Sequence, residues 1–528
     1  MDFAQQLRIL EAAQGQPALL ALATVSLVHH SLPDAEVERL KQALLAAAVP
    51  HWCDSEFLAA LLETTREEAE ALMARLRQLN VIEPFTARGD GAVNVHEAAR
   101  LALREHLRVS DGPRWVQLAE RAAQHLADQV QPHARIEHLF HTFAVDPARA
   151  AEICSNLNRE FTMVGHHEVQ HAFALATAEL SRAGWLSGAA EVEAKLVQLD
   201  LRISRGEAAQ LEPEAQAVLQ LAAEWKHPPG VANACCLLGD VLREKGRLDD
   251  ALQAFKECLG VSQRLAAADA GNAGRQRDVA VAHSKVGDIY ETQGRLDDAL
   301  CAFNEDLGIC QRLAAADASN ASWQRELAIA HSKVGGIYQA QGRLDDALRA
   351  FNAGLGISQR LAAADAGNAG WQRDLAIAHS RIGGIYEAQG HLEGALRAFN
   401  AYQGISQRLA ATDVSNASWQ RGLAVAQSRV GSIYQAQGRL DDALRAFNEC
   451  LGICQRLATS DASNAGWKRG LALAHWRIGR VQHDMGQAEM ARASFEAAVR
   501  VMRVAVAMSP ENAGWANDLV NIQSWIST

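Results

Sequence analysis

The most chemically suggestive run in this 528-residue chain is His167-Glu168-Val169-Gln170-His171. Residues four apart on a helix share one face, so His167 and His171 would present two imidazoles to one metal ion. Glu168 would then stand where it can take a proton from a metal-bound water, the chemistry of a zinc-dependent hydrolase. Glu191, 20 residues past His171, is the candidate third ligand. Against this, the pattern is short and histidine is dense here: 13 of the chain's 19 precede residue 231. The flanks read as paired amphipathic helices, with Phe173, Leu175, Ala176 and Leu180 on one and Leu196, Leu199 and Leu201 on the next. The preferred reading is surface or groove histidines, with no metal, no cofactor and no catalytic residue. Zinc hydrolysis is the alternative.

The elements around this motif follow from composition. A chain this long exceeds one hydrophobic core, so several domains or a repeat array are expected. Pro is scarce at 11 residues and Ala abundant, which favours helix. The 51 basic residues against 62 acidic leave a net charge of −11, which disfavours nucleic acid or an anionic membrane as the main partner. The nine Cys form no CxxC pair, which fits a reducing, cytoplasmic setting better than a disulfide framework. The apolar run from Pro17 to Val28 is shorter than the roughly 20 residues of a membrane span.

From residue 231 onward the chain repeats every 48 residues. Gly246, Gly294, Gly342, Gly390, Gly438 and Gly486 mark one phase, and Asn272, Asn320, Asn368, Asn416, Asn464 and Asn512 another. Residues 323–370 and 371–418 agree at 35 of 48 positions, so they must share one structure. Each block holds two helical periods, with the Gly at a tight turn between them and the Asn as N-cap of the next block. Acids such as Asp345 and Asp346 fall in the first turn of the second helix, where they suit its dipole. Neither helix can bury its apolar face alone, so neighbours must stack.

Within each block the spacing of Gly287, Tyr290, Gly294, Ala299 and Phe303 resembles that of tetratricopeptide (TPR) repeats, and it recurs at Gly335/Tyr338/Ala347/Phe351, Gly383/Tyr386/Ala395/Phe399 and Gly431/Tyr434/Ala443/Phe447. The departures are the period, 48 rather than 34, and His283, His331 and His379 where an early Trp is usual. The resemblance implies a protein or peptide partner held on the first helices. Carried over by position, that face holds Ser284, Asp288 and Glu291, then Ser332, Gly336 and Gln339, then Ser380, Gly384 and Glu387, then Ser428, Ser432 and Gln435. The basic row Lys285, Lys333, Arg381, Arg429 and Arg477 is expected to be a solvated face, and the periodic Cys258, Cys310, Cys450 and Cys454 small packing residues. The last block adds Trp515, Leu519, Ile522 and Trp525, which reads as a capping helix.

Residues 32–110 have another grammar. Helices are expected over Leu40 to Val49 and Asp54 to Glu63, and a third, opened by Thr64/Glu67 or Thr65/Glu68 at capping-box spacing, to about Asn80. Val81–Phe85 and Ala92–His96 then flank Arg88-Gly89-Asp90-Gly91, a hairpin signal, before a helix from Glu97. This is a winged helix, and with Val95-His96-Glu97 it resembles the one that follows the nucleotide-binding domain of STAND-type signalling ATPases. No Walker A pattern is present, so the resemblance is read as an ATPase relative without the ATPase domain. DNA reading is disfavoured because the would-be recognition helix carries Glu67, Glu68 and Glu70 against Arg66, Arg75 and Arg77.

The chain is therefore expected to be all-α: residues 1–31 a helical segment, 32–110 a winged helix, 111–230 a helical region of degenerate repeats, and 231–528 six TPR-like repeats forming an α-solenoid. Its expected role is a non-catalytic scaffold or adaptor in bacterial signalling or defence. A zinc hydrolase and a DNA-binding regulator are the alternatives.

Overall fold

The computed structural model describes residues 3–164, 167–510 and 512–526, with the side chains of 3–5, 7, 9, 162–164 and 167 outside the described set. The fold is a predominantly helical solenoid of stacked helix pairs with one small hairpin near the N-terminus. It divides into two compact units, up to Val261 and from Ser262.

In the first unit, Asp34–Ala47, Ser55–Leu62 and Arg66–Leu76 form the three helices of the winged helix. The caps are local chemistry: Asp54 accepts from Phe57 N at 2.8 Å and Thr65 from Glu68 N at 3.2 Å. The third helix stops at Leu76 rather than near Asn80, because Leu79 N turns back to Leu76 O. The wing pairs Ile82–Pro84 antiparallel with Val93–Val95, Ile82 facing Val95. Its strands are shorter than expected because Thr86–Arg88 form a 3-10 turn, and Phe85 N closes the loop on Ala92 O. Glu97–Ser110 follows as the fourth helix. Leu40, Leu44, Phe57, Leu58, Leu61, Met73 and Leu76 are buried together with Val93 and Val95. At about 1.5–3 kcal/mol per fully buried large side chain, this cluster is what holds the short elements together. Paired helices continue through Pro132–Val145, Pro147–Val164, His167–Arg182 and Gly188–Arg202 to Pro228–Glu244.

The second unit contains the helix pairs Ala273–Thr292/Leu296–Ala316, Ala321–Ala340/Leu344–Ala364, Ala369–Ala388/Leu392–Thr412, Ala417–Ala436/Leu440–Ser460 and Ala465–Asp484/Ala488–Met508, then Ala513–Ser524. Each first helix opens on its Asn, whose side chain accepts from a backbone N–H in the first turn, as at Asn368 and Trp371 N, 3.1 Å. The turn glycine, such as Gly390, has φ +74, a conformation that costs other residues energy. The TPR-like Gly and Phe explain each other. A Cβ at Gly383 would lie 2.6 Å from the Phe399 ring, and the same contact recurs at Gly287/Phe303, Gly335/Phe351, Gly431/Phe447 and Gly479/Phe495. The terminal helix buries Ile522 and sets Trp525 against Phe495, as a cap should.

Candidate functional site

Successive first helices of the second unit are tied by a ladder of ion pairs. Arg277 meets Glu326 at 2.5 Å, Arg325 meets Asp374 at 2.5 Å and Arg469 meets Asp518 at 2.8 Å. Each step is 49 residues, one more than the repeat, so in these three pairs the cation of one block meets the acid of the next. A sequence reading that compares only equivalent positions misses it, although the Arg and acid columns are both visible at the period.

Beside this ladder the expected groove residues fall into three clefts. Asp288, Glu291, Ser332 and Gly336 line one of about 340 Å³ between Ala321–Ala340 and its neighbours. Ser284 and Asp288 line a smaller one of about 140 Å³. Ser428 lines a third of about 550 Å³, and its hydroxyl there is buried without a hydrogen-bond partner. The others lie on the same helices but line none of these: Gln339 is exposed, and Ser380 and Gly384 are half-buried. Glu387 sits 3.6 Å from Arg429, Gln435 donates to Asp484 at 2.6 Å, and the Ser432 hydroxyl donates to Ser428 O at 3.0 Å.

The basic row is in part the solvated face expected of it: Arg381 and Arg429 are exposed, and Lys285 and Lys333 are half-buried. Lys333 pairs with Asp288 at 2.6 Å and lies over the Phe303 ring, while Arg429 lies over Phe399. Arg477 is half-buried. Lys333 and Arg429 each lie over the aromatic of a second helix, while the Arg429 side chain stays 53% exposed. Ile329, Ile377 and Val425 stand on the same face at one repeat position and are 41%, 39% and 41% exposed. An apolar row left in solvent, rimmed by polar and charged groups, marks an interaction surface.

In the first unit, the described side chains of the motif that suggested zinc have the following surroundings. Glu168 and His171 are exposed, and His171 Nδ1 lies 2.8 Å from the Arg205 guanidinium, a cation beside a would-be metal ligand. Glu191 is engaged with Lys195 at 3.8 Å. The His167 side chain lies outside the described residues, and among the described residues no three metal-ligating groups converge. The winged helix holds its arginines similarly. Arg66 pairs with Glu70, Arg75 with Glu36, and Arg77 donates to Gly91 O.

The strongest polar cluster of that unit was not legible from spacing. Glu137 accepts from the His51 backbone N–H and ring at 2.9 Å each and lies 3.1 Å from His141 Nε2. Glu179 gathers His51 Nε2 and Arg100 at 3.3 Å each, and Arg104. Burial works against the His51 imidazolium, but Glu137 and Glu179 outweigh it and raise its pKa. Burial likewise works against the Glu179 carboxylate, yet the His51 hydrogen bond and the Arg104 and Arg100 charges bring it down to about 2. Glu137 is held well below the usual carboxylate range by the His51 charge and the two histidine hydrogen bonds, despite its burial. Each charged side chain of the cluster has a partner within it, although His141 Nδ1, Arg100 Nε and Arg104 Nη2 are buried without a hydrogen bond, and the cluster fixes helices to one another.

Family models of the tetratricopeptide repeat match residues 232–264 and 472–501, and a second such model matches 423–458. With the Gly–Phe packing and the stacked pairs, these decide the architecture. The array is a tetratricopeptide-repeat α-solenoid. Among solved structures, this TPR chain resembles a signal transduction ATPase with numerous domains (STAND) protein with a tetratricopeptide repeat sensor from Pyrococcus horikoshii. The likeness has a TM-score of 0.60 at 14% identity, and covers 96% of this chain and 71% of that one. The apo form of RapI is similar at 12% identity over 76% of this chain and 96% of its own, with a TM-score of 0.45. BtubC (BKLC) from P. vanneervenii is similar at 19% identity over 49% and 91%, with a TM-score of 0.39. No curated protein sequence matches the chain.

Proposed function

We propose that this protein is a non-catalytic scaffold whose TPR array, residues 231–528, receives a partner polypeptide on its first helices, while residues 32–110 and the helices after them dock it elsewhere. The observation that carries this reading is the exposed row Ile329, Ile377 and Val425 flanked by clefts that hold Asp288, Glu291, Ser332 and Gly336. Apolar anchors beside small polar residues give an extended or helical segment both burial and directional hydrogen bonds. The likeness to a STAND protein with a TPR sensor supports a signalling role, as a proposal from fold alone, and a bacterial, cytoplasmic setting is the expectation carried from the sequence. Among the described residues no helix is long and apolar enough to cross a membrane.

The test is affinity capture with the full chain and with a triple variant, Glu291→Lys, Gln339→Lys and Glu387→Lys. One specific protein should be recovered by the wild type and lost from the variant. Equal recovery by both, or no specific protein at all, would sink the reading.

A further inference from the structure

The three clefts occupy one face of the second unit, yet their charge changes along it. The smallest is lined by three acids, Asp288, Asp306 and Glu326, against Lys285 and Lys333. The next balances Asp288, Glu291 and Asp374 against Arg325, Lys333 and Arg381. The largest is lined by Arg421, Arg429, Arg469 and Arg477 and by no acid. Equivalent positions build these clefts, and three of them lose an acid between the smallest and the largest: Asp288 gives way to Ser432, Asp306 to Cys450 and Glu326, in the ladder's acid column, to Gly470. Where Glu326 and Asp374 stand in the earlier blocks, the later ones have Gly422 and Gly470.

The consequence is local. Arg421 occupies the rung that Arg277, Arg325 and Arg469 occupy, but the residue 49 positions on is Gly470, and among the described residues it has no carboxylate partner. Arg477 has none either; burial lowers its pKa, the Arg429 and Arg480 charges add to that, and Cys450 and Cys454 work against it. Arg469 is paired with Asp518, and Arg429 has Glu387 at 3.6 Å. Exposed Val425 and half-buried Leu473 line the same cleft, and the Ser428 hydroxyl in it is unpartnered.

We propose that the cleft between Ala417–Ala436 and Ala465–Asp484 binds an acidic peptide segment of a partner protein, its carboxylates on Arg421 and Arg477 and its apolar side chains on Val425 and Leu473. The proposal rests on the reading that the first helices receive a polypeptide, and adds the chemistry that selects it. A peptide fits better than a nucleic acid because Arg421 and Arg477 stand in an apolar-walled cleft on a chain of net charge −11. A nucleic acid needs a longer basic track.

The same ladder supplies the test. Gly470→Asp would restore the missing rung beside Arg421. There is room, since a Cβ at Gly470 meets only Cys454 Sγ at 3.8 Å. A fluorescein-labelled peptide of four Glu-Glu-Leu triplets is titrated with the full chain, against a control with Gln for Glu and against a single-stranded 12-nucleotide DNA. The acidic peptide should bind at least tenfold tighter than the control. Gly470→Asp and Arg421→Gln should each weaken it at least tenfold, while Gly470→Asp melts no lower than wild type. No binding, equal binding of acidic and neutral peptides, or an unchanged affinity in Gly470→Asp would overturn the proposal. So would tighter binding of the DNA that is lost in Gly470→Asp. In any of these cases capture that still depends on Glu291, Gln339 and Glu387 would leave the scaffold reading standing.

Discussion

The two units use charge in opposite ways. In the first, Glu137, Glu179, His51, His141, Arg100 and Arg104 form one buried knot, with the Arg104 side chain wholly inaccessible. In the second, ion pairs are spread over a ladder of partly exposed rungs, such as Arg325–Asp374 at 28% and 20% side-chain exposure. A buried knot is all or nothing, because removing one member strands the others away from water. A partly exposed ladder loses little when a rung is lost. That difference explains why Gly422 and Gly470 can replace ladder acids without undoing the stack, and why the second unit is the one free to vary its charge for recognition.

The largest effect should come from the knot. Glu137→Ala should cost the first unit about 3–5 kcal/mol, since His141 and part of the His51 charge lose their partner. Urea titration followed by hydrogen exchange on peptides from each unit would register the loss in the first unit only. A loss below about 1 kcal/mol would place the knot with the ladder.

Packing should come next. Gly383→Ala forces the Phe399 ring aside and should cost about 1–3 kcal/mol, whereas Gly384→Ala, with nothing within 4 Å of its Cβ, should be neutral or stabilise the helix by up to about 1 kcal/mol. Equal thermal shifts for the two would contradict the close Gly–Phe approach.

Acid separates the units as well. Glu179 lies at about 2 in the folded protein against an ordinary 4.5, so its contribution is complete above 4.5 and is lost as pH falls towards 2. His51, raised, contributes most below its ordinary 6.5 and loses that as pH rises through its folded value; His141, lowered by burial ahead of its Glu137 contacts, acts in the opposite direction. Glu179→Gln should therefore flatten the stability curve of the first unit between pH 4.5 and 2, and an unchanged slope would remove Glu179 from the account. The smallest effect is expected for the ladder. Asp374→Ala should cost no more than about 1 kcal/mol by thermal unfolding, and a loss of several would show that the rungs act as a buried network.

What could be read from the sequence follows the same division. The Asn caps, the turn glycines and the recurring Gly and Phe positions are legible because a period of 48 residues displays each of them several times, whereas the contact between that Gly and Phe is not. Thr65 with Glu68 was legible because a cap is a local interaction. The knot was not, since His51 lies 86 residues from Glu137 and 128 from Glu179, and no periodicity connects them. The exposure of Ile329, Ile377 and Val425 is not legible, because an apolar residue on an amphipathic helix ordinarily belongs to its buried face. His167-Glu168-Val169-Gln170-His171 has the spacing of a metal site, and spacing alone does not show that His171 lies beside Arg205 and Glu191 beside Lys195.

The central claim is that a partner polypeptide lies on the first helices of the array. Hydrogen exchange of the full chain, with and without the protein recovered by affinity capture, tests it most directly. Binding should slow exchange in Ala321–Ala340, Ala369–Ala388, Ala417–Ala436 and Ala465–Asp484 while leaving the second helices of the same pairs unchanged. Protection confined to the second helices, or to the first unit, would contradict it.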